Sequence, residues 1–283
     1  MRARDVYSRW QLIHRLFTFE QSPGRGLIQR GRRQKCVKTC SNGYFPSVTA
    51  EAGAVVVVPA HNEFDALWRC LSAVRTAAVA VAIPTEVVVV LDACEDDSAS
   101  LEGQFGPAVH FLAVDERNVG AARSAGFRYA KTELHAVGPR IWYATTDADT
   151  EVGGDWLMRQ LGWGADMVLG QVRVAEWRHH SPEVAAEYEA RYRAETPFHQ
   201  HIHGANMGFR SEAYWRVGGF AALRSGEDVD LVDRFRAAGM HIVSDDELSV
   251  TTSDRWNARA PGGFADHLAE VSKEVLGRAD EVS

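Results

Sequence analysis

The chain has 283 residues, 46% hydrophobic and 24% charged, an ordinary globular composition for one large domain or two small ones. Its formal charge of −7 hides a split, because residues 1–50 hold ten Lys/Arg against two acids while the remainder holds 21 against 36. The acidic main body argues against broad binding to nucleic acid or anionic lipid, four cysteines are too few for a disulfide scaffold, and no apolar run approaches the ~18–20 residues of a membrane-spanning helix.

Residues 1–50 read as a basic leader with little periodicity, apart from a short amphipathic stretch at Tyr7–Phe19 carrying Trp10, Ile13, Leu16 and Phe17. An arm for an anionic partner, a transit peptide and sequence upstream of the true start all fit this segment; disorder or the upstream start is the expectation. Cys36 and Cys40 have loose metal-like spacing, but no second Cys or His pair lies close by in the segment, so two reduced thiols are expected. With no apolar core after the basic start, the chain reads as soluble and cytoplasmic.

From residue 54 the pattern becomes regular. Ala54–Val58 is a β-branched run expected to be a strand buried on both faces. Asn62 is placed to cap a helix over Glu63–Thr76, where Leu67, Leu71 and Val74 recur at helical spacing. Glu86–Leu91 is a second buried strand, Asp97 and Ser98 open a polar stretch, and Val109–Val114 is a third strand. Gly120–His135 is a helix and Ile141–Thr145 a fourth strand. This βαβαβαβ alternation predicts an α/β fold: a mostly parallel central sheet with helices on both faces and ligands at the carboxyl ends of its strands. Later, Met167–Val174 reads as a strand, Pro182–Glu195, Phe209–Val217 and Val229–Ala238 as helices, His241–Val243 and Leu248–Val250 as short strands, and Pro261–Arg278 as a final helix or pair. The domain division expected is leader 1–50, main domain 51–260 (halves 51–150 and 151–260) and helical tail 261–283.

Chemistry-bearing residues gather at the strand ends. In Thr145-Thr146-Asp147-Ala148-Asp149 the two aspartates stand at i and i+2, which in extended backbone points both carboxylates to one side. Unpaired they would repel, and a hard divalent cation, Mg²⁺ or Mn²⁺, relieves this while also binding phosphate oxygens. Around this motif stand Pro59-Ala60-His61-Asn62-Glu63, Leu91-Asp92, the run Arg117 to Gly126, Gly204 to Arg210, Val217-Gly218-Gly219-Phe220 and Gly226-Glu227-Asp228. In this order and spacing they resemble the family 2 glycosyltransferases, over about residues 54 to 255. The resemblance implies a GT-A fold and transfer of a sugar from a nucleotide-sugar donor to an acceptor hydroxyl, with inversion.

Carried over position by position, the resemblance implies that Pro59, Ala60 and Glu63 cradle the nucleotide and that Asp92 bonds the base. It places Asn118 and Arg123 near the nucleotide and diphosphate, and assigns Asp147 to nucleotide and metal, with Asp149 the direct metal ligand. Gly204, Ala205 and Asn206, with His203 beside them, form the donor-sugar and acceptor loop. Asp228 is the general base and Glu227 shapes its surroundings. The sequence departs from the family at Asp92-Ala93-Cys94-Glu95, where Asp-Asp-Gly-Ser is usual; Asp97 still matches the later aspartate, and Ser124 replaces a common Asn. The acceptor expected is a soluble small molecule or a lipid-linked group reached by peripheral membrane contact. A retaining transferase of the same fold and a non-catalytic sugar- or partner-binding module stay open, whereas a Rossmann oxidoreductase fails for want of G-x-G-x-x-G after the first strand. A nucleotidyltransferase is disfavoured by the acidic Glu63 where a Gly-rich basic loop is usual. Weaker candidates are a second metal site at His199, His201 and His203, an Arg255–Trp256–Arg259 lid over the diphosphate, and sugar stacking on Trp177, Tyr188 and Tyr192.

Overall fold

The four apolar runs read from the sequence lie side by side at one end of a single sheet. In the computed structural model, which describes residues 51–136, 138, 140–174, 177, 181–194, 202–253 and 271–275, the strands are ordered β3-β2-β1-β4-β7-β6-β8-β5. They are β1 (Gly53–Ala60), β2 (Thr85–Asp92), β3 (Val109–Val114), β4 (Ile141–Thr145), β5 (Thr150–Glu151), β6 (Met167–Val174), β7 (Met207–Arg210) and β8 (Ile242–Thr252). The helices are α1 (Phe64–Ala80), α2 (Val119–Thr132), α3 (Trp156–Gly162), α4 (Pro182–Ala194), α5 (Ser211–Arg216) and α6 (Glu227–Ala237). Strands β3, β2, β1 and β4 are mutually parallel, as are β6 and β8; β7 runs antiparallel to β4 and β6, and β5 antiparallel to β8.

Every residue of β1 is buried, as a strand covered on both faces requires. Its alternate residues serve two layers. Ala54, Val56 and Val58 join Leu67, Cys70, Leu71 and Val74 of α1 in one core. Val57 faces α2, where a Cβ at Gly126 would stand 2.5 Å from its Cγ1, so the helix seats this closely only because residue 126 has no side chain. From α2 itself, Phe127 stacks on Tyr143 at 4.7 Å and meets Phe209, Tyr214 and Phe220, an aromatic layer that fixes β4, β7 and α5 against the helix.

Several boundaries depart from the sequence reading. The β2–β3 connection, read as a polar stretch opened by Asp97 and Ser98, carries a five-residue 3₁₀ helix, Asp97–Leu101. Phe209 and Arg210 end strand β7 instead of opening a helix. The two short strands predicted after residue 240 are one, β8, whose pairing with β6 slips at Gly170/Gln171. There Asp245, 5% exposed, turns inward to Arg159 and Trp163, so the charged run Asp245–Glu247 does not break the strand. Strand β5 and helix α3 carry too short a pattern to be predicted. Among the described residues no helix is long and apolar enough to cross a membrane. The leader with Cys36 and Cys40, the residues His199, His201, Arg255, Trp256 and Arg259, and most of the predicted tail lie outside the described residues, as does the side chain of Tyr192.

Candidate active site at the carboxyl edge of the sheet

Because β1 to β4 are parallel, their carboxyl ends bring residues 60–63, 92–96, 115–118 and 146–149 to one edge. The first two loops are interlocked. Asn62 Oδ1 accepts the Glu95 and Asp96 N–H groups at 2.7 and 3.2 Å, and Asp96 in turn accepts the Phe64 N–H at 2.9 Å. Asn62 therefore does not cap α1: it holds a left-handed φ of 55°, and Asp96 satisfies the first helical N–H from across the gap. The Cys94 thiol bonds the Ala60 carbonyl at 3.3 Å, and His61 Nδ1 lies 2.6 Å from the Asp92 carbonyl. Pro59 and Ala60 are buried at the end of β1, and Glu63 sits half-buried at the head of α1. Ala93 and Arg117 also have positive φ, at 52° and 48°; such backbone costs of order 1–3 kcal/mol per residue, so this edge is held strained by its surroundings.

Asp92 is 6% exposed, and its carboxylate accepts three backbone N–H groups, from Glu116 at 2.7 Å, Arg117 at 2.8 Å and Asn118 at 3.0 Å. Three of its roughly four acceptor sites thus hold the loop after β3. Asn118 then caps α2, accepting the Ala121 N–H at 2.9 Å, while its amide donates to the Leu223 carbonyl at 2.6 Å. One side chain both starts a helix and ties down the loop that leads to α6.

The aspartate pair is not extended. The Thr150 N–H bonds the Asp147 carbonyl at 3.0 Å, closing a turn, so the i, i+2 geometry expected of a strand does not apply. The two carboxylates take different partners. Asp147 receives Arg123 Nη2 at 2.6 Å. Asp149 receives Ser253 Oγ at 2.9 Å and lies 3.3 and 3.5 Å from the hydroxyls of Thr150 and Thr252. Both carboxylates still act on one place: burial first, then Asp149, Asp147, Glu151 and Glu63, hold the Cys70 thiol well above its ordinary pKa.

Arg123 is the hub. It is 2% exposed, donates to Glu227 through Nη1 and to Asp147 through Nη2, and lies over the Phe220 ring at 5.5 Å. Burial by itself would lower its pKa, but Asp147, Glu227 and Asp228 outweigh that and raise it, so the cation is held charged in the interior. Glu227 and Asp228 stand in the first turn of α6. Asp228 accepts the Gly204 N–H at 2.9 Å through one oxygen and the Val229 N–H at 2.8 Å through the other. Gly204 lies against the Arg123 guanidinium, and a Cβ there would come within 2.5 Å of it. Asp147, Arg123, Glu227, Asp228 and Gly204 are thereby brought together from four separate stretches of chain.

Other predicted residues fall elsewhere. Asn206 is fully buried: its amide donates to the Gln171 and Leu248 carbonyls at 2.8 and 2.9 Å, and its oxygen accepts Trp156 Nε1 at 2.8 Å. It braces the β6–β8 slip rather than reaching toward a sugar. Ala205 is core, and His203 is half-buried beside Gly204. Tyr188 is buried and meets Trp177 at 5.5 Å in a cluster with Val184 and Val271, so this pair packs on protein. Ser253 and Thr252 were missed, since nothing in a sequence links them to an aspartate a hundred residues earlier.

Among the described residues no three His, Cys, Asp or Glu side chains converge as a metal site. The hydroxyls of Ser253, Thr150 and Thr252 surround Asp149 with oxygen atoms, which suits Mg²⁺ or Mn²⁺, ions that take one or two carboxylates and complete their shells with water and phosphate oxygens.

Compared with known proteins, the model for the family described as glycosyl transferase family 2 matches residues 55–218. No curated protein matches the sequence. Among solved structures, residues 1–349 of TarS from S. aureus, in complex with UDP-GlcNAc, superpose with a TM-score of 0.54 at 13% identity, over 78% of this chain and 65% of that one. The chain therefore spans just under two thirds of that fragment. The mannosyltransferase PcManGT from Pyrobaculum calidifontis, in complex with GDP-Man and Mn²⁺, gives a TM-score of 0.56 at 17% identity, over 98% of this chain and 83% of that one. At these identities the likeness is one of fold.

Proposed function

The chain belongs to glycosyl transferase family 2 and has the GT-A fold, and from that premise we propose that it moves a sugar from a nucleoside-diphosphate sugar to an acceptor hydroxyl with inversion, using Asp228 as the general base. The observation that carries this reading is the Arg123 hub, which joins the aspartate turn after β4 to the acidic first turn of α6. Donor-side and acceptor-side chemistry are coupled through one buried cation.

An acceptor hydroxyl is a weak nucleophile until a carboxylate takes its proton. Asp228 is suited to this because two backbone N–H groups fix its orientation before any substrate arrives. Glu227 is suited to a supporting role, since its carboxylate is buried against Arg123. The nucleotide is proposed to lie along residues 59–63, 92–96 and 118, with Asp92 setting the shape of the loop that receives it. A divalent cation would be held by Asp149 with Asp147 alongside, and would stabilise the negative charge that builds on the departing diphosphate. The UDP-GlcNAc and GDP-Man found in the two superposed structures make uridine and guanosine nucleotides the first donors to try. The division into a nucleotide-binding part (51–150), an acceptor part (151–260) and a tail, a cytoplasmic location, and a small-molecule or lipid-linked acceptor belong to the same proposal.

The test is release of nucleoside diphosphate from a panel of UDP- and GDP-sugars with Mn²⁺, with and without candidate acceptors, for wild type and Asp228→Asn. The variant should bind donor normally and lose about 10²–10⁴-fold in kcat. Turnover at the wild-type rate in Asp228→Asn would remove the base assignment.

A further inference from the structure

The surroundings of Asp149 contain more than the aspartate motif explains. Strand β5 is two residues long and pairs with the far end of β8, Thr150 opposite Thr252 and Glu151 opposite Thr251. That pairing delivers three hydroxyls to one carboxylate. Ser253 Oγ is 2.9 Å from Oδ2, while Thr150 Oγ1 and Thr252 Oγ1 lie 3.3 and 3.5 Å from Oδ1 and 3.2 Å from each other. Each hydroxyl has one proton to give. Since the two threonines are within bonding distance of each other, one can donate to its neighbour and the other to Asp149, while Ser253 serves the second oxygen.

We propose that Ser253, supported by the Thr150–Thr252 pair, is a positioning residue that orients the Asp149 carboxylate toward a divalent cation and its diphosphate. The proposal deepens the metal reading given above and rests on it. A turn residue such as Asp149 has no strand to fix its side chain, so its direction must come from its hydrogen-bond partners. These three contacts come from neutral hydroxyls, which supply direction without adding positive charge beside the carboxylate. Ser253 makes the shortest of the three contacts and follows immediately on β8, so the strand's register sets where its hydroxyl stands.

The experiment measures Mn²⁺ affinity directly, by titration calorimetry with Mn²⁺ alone and with Mn²⁺ plus UDP or GDP, in wild type, Ser253→Ala, Ser253→Thr and Asp149→Asn. Partners of metal-ligating side chains usually matter by about ten- to a hundredfold in affinity. Ser253→Ala should therefore weaken Mn²⁺ binding by about tenfold or more with an unchanged melting temperature, and Ser253→Thr, which keeps the hydroxyl, should restore most of it. In turnover the alanine variant should raise the Mn²⁺ concentration needed for half-maximal rate more than it lowers kcat at saturating Mn²⁺. If Asp149→Asn abolishes binding while Ser253→Ala binds Mn²⁺ like wild type, the positioning role is overturned and the metal reading stands. If Asp149→Asn itself binds Mn²⁺ normally, both fall together.

Discussion

One methyl group at Gly204 tests the hub most sharply. A Cβ there would stand 2.5 Å from Arg123 Nη2 and 2.6 Å from Cζ and Nη1. Ordinary carbon contacts lie near 3.5 Å, so the guanidinium would have to retreat by roughly 1 Å. It has no easy way to do so, being 2% exposed and bonded to Asp147 on one side and Glu227 on the other. Overpacking of this kind costs ~1–3 kcal/mol. At ~2–4 °C per kcal/mol for a domain of this size, the melting temperature of Gly204→Ala should fall by roughly 2–12 °C. Turnover should fall by about a hundredfold, because the same strain shifts the Gly204 N–H that orients Asp228. A double-mutant cycle with Arg123→Met isolates the cause. If the clash is with Arg123, the methyl should cost far less once the guanidinium is gone, giving a coupling above ~0.5 kcal/mol. Urea midpoints with constant m-values would measure it. Additive effects of the two substitutions would refute the close approach as the operative constraint.

Three further outcomes are expected. Asp92→Ala, which strips the loop after β3 of three N–H acceptors, should weaken donor binding and cost about 1–3 kcal/mol by urea titration; an unchanged donor Kd would count against the loop's role. Asn206→Ala should lower stability by about 3 kcal/mol or more, since it leaves two buried carbonyls and the Trp156 N–H without their partner; a loss of activity with stability intact would instead return Asn206 to the sugar site. Burial pushes the Tyr214 phenol up to about 12 from its ordinary 10. The folded chain therefore keeps a proton on Tyr214 that the unfolded chain releases, so the contribution of this residue to stability should be level below pH 10 and decline from pH 10 to about 12; Tyr214→Phe should make the alkaline loss of stability shallower across that range in urea midpoints.

Much of the first half of the fold was legible because continuous apolar runs have one interpretation when four of them alternate with helical segments. The limits of β3, β4 and β6 coincide with the sequence reading, while β1 and β2 extend it by one or two residues at each end. The second part was harder for physical reasons. Phe209 belongs to a strand only because β4 and β6 offer it backbone partners, and β8 absorbs three charged residues because Arg159 pairs with two of them, the buried Asp245 and the exposed Glu247. At the site, residue types were easier to read than roles. The aspartates were visible as a pair, but the turn that separates their carboxylates is set by one backbone hydrogen bond. Asn206 matched its motif and is spent on bracing the sheet. Ser253 became visible only once β5 and β8 were seen to pair.

The placement of Arg123 has a consequence for recombining this chain with its relatives. Its two carboxylates come from residues 147 and 227, on either side of any crossover point near the middle of the chain. A chimera that imports a foreign second half must bring an acid to the position of Glu227, or strand a buried guanidinium with half its counter-charge. Segment swapping is thus restricted to relatives that carry the matching acid, and Phe220 and Gly204 must travel with it.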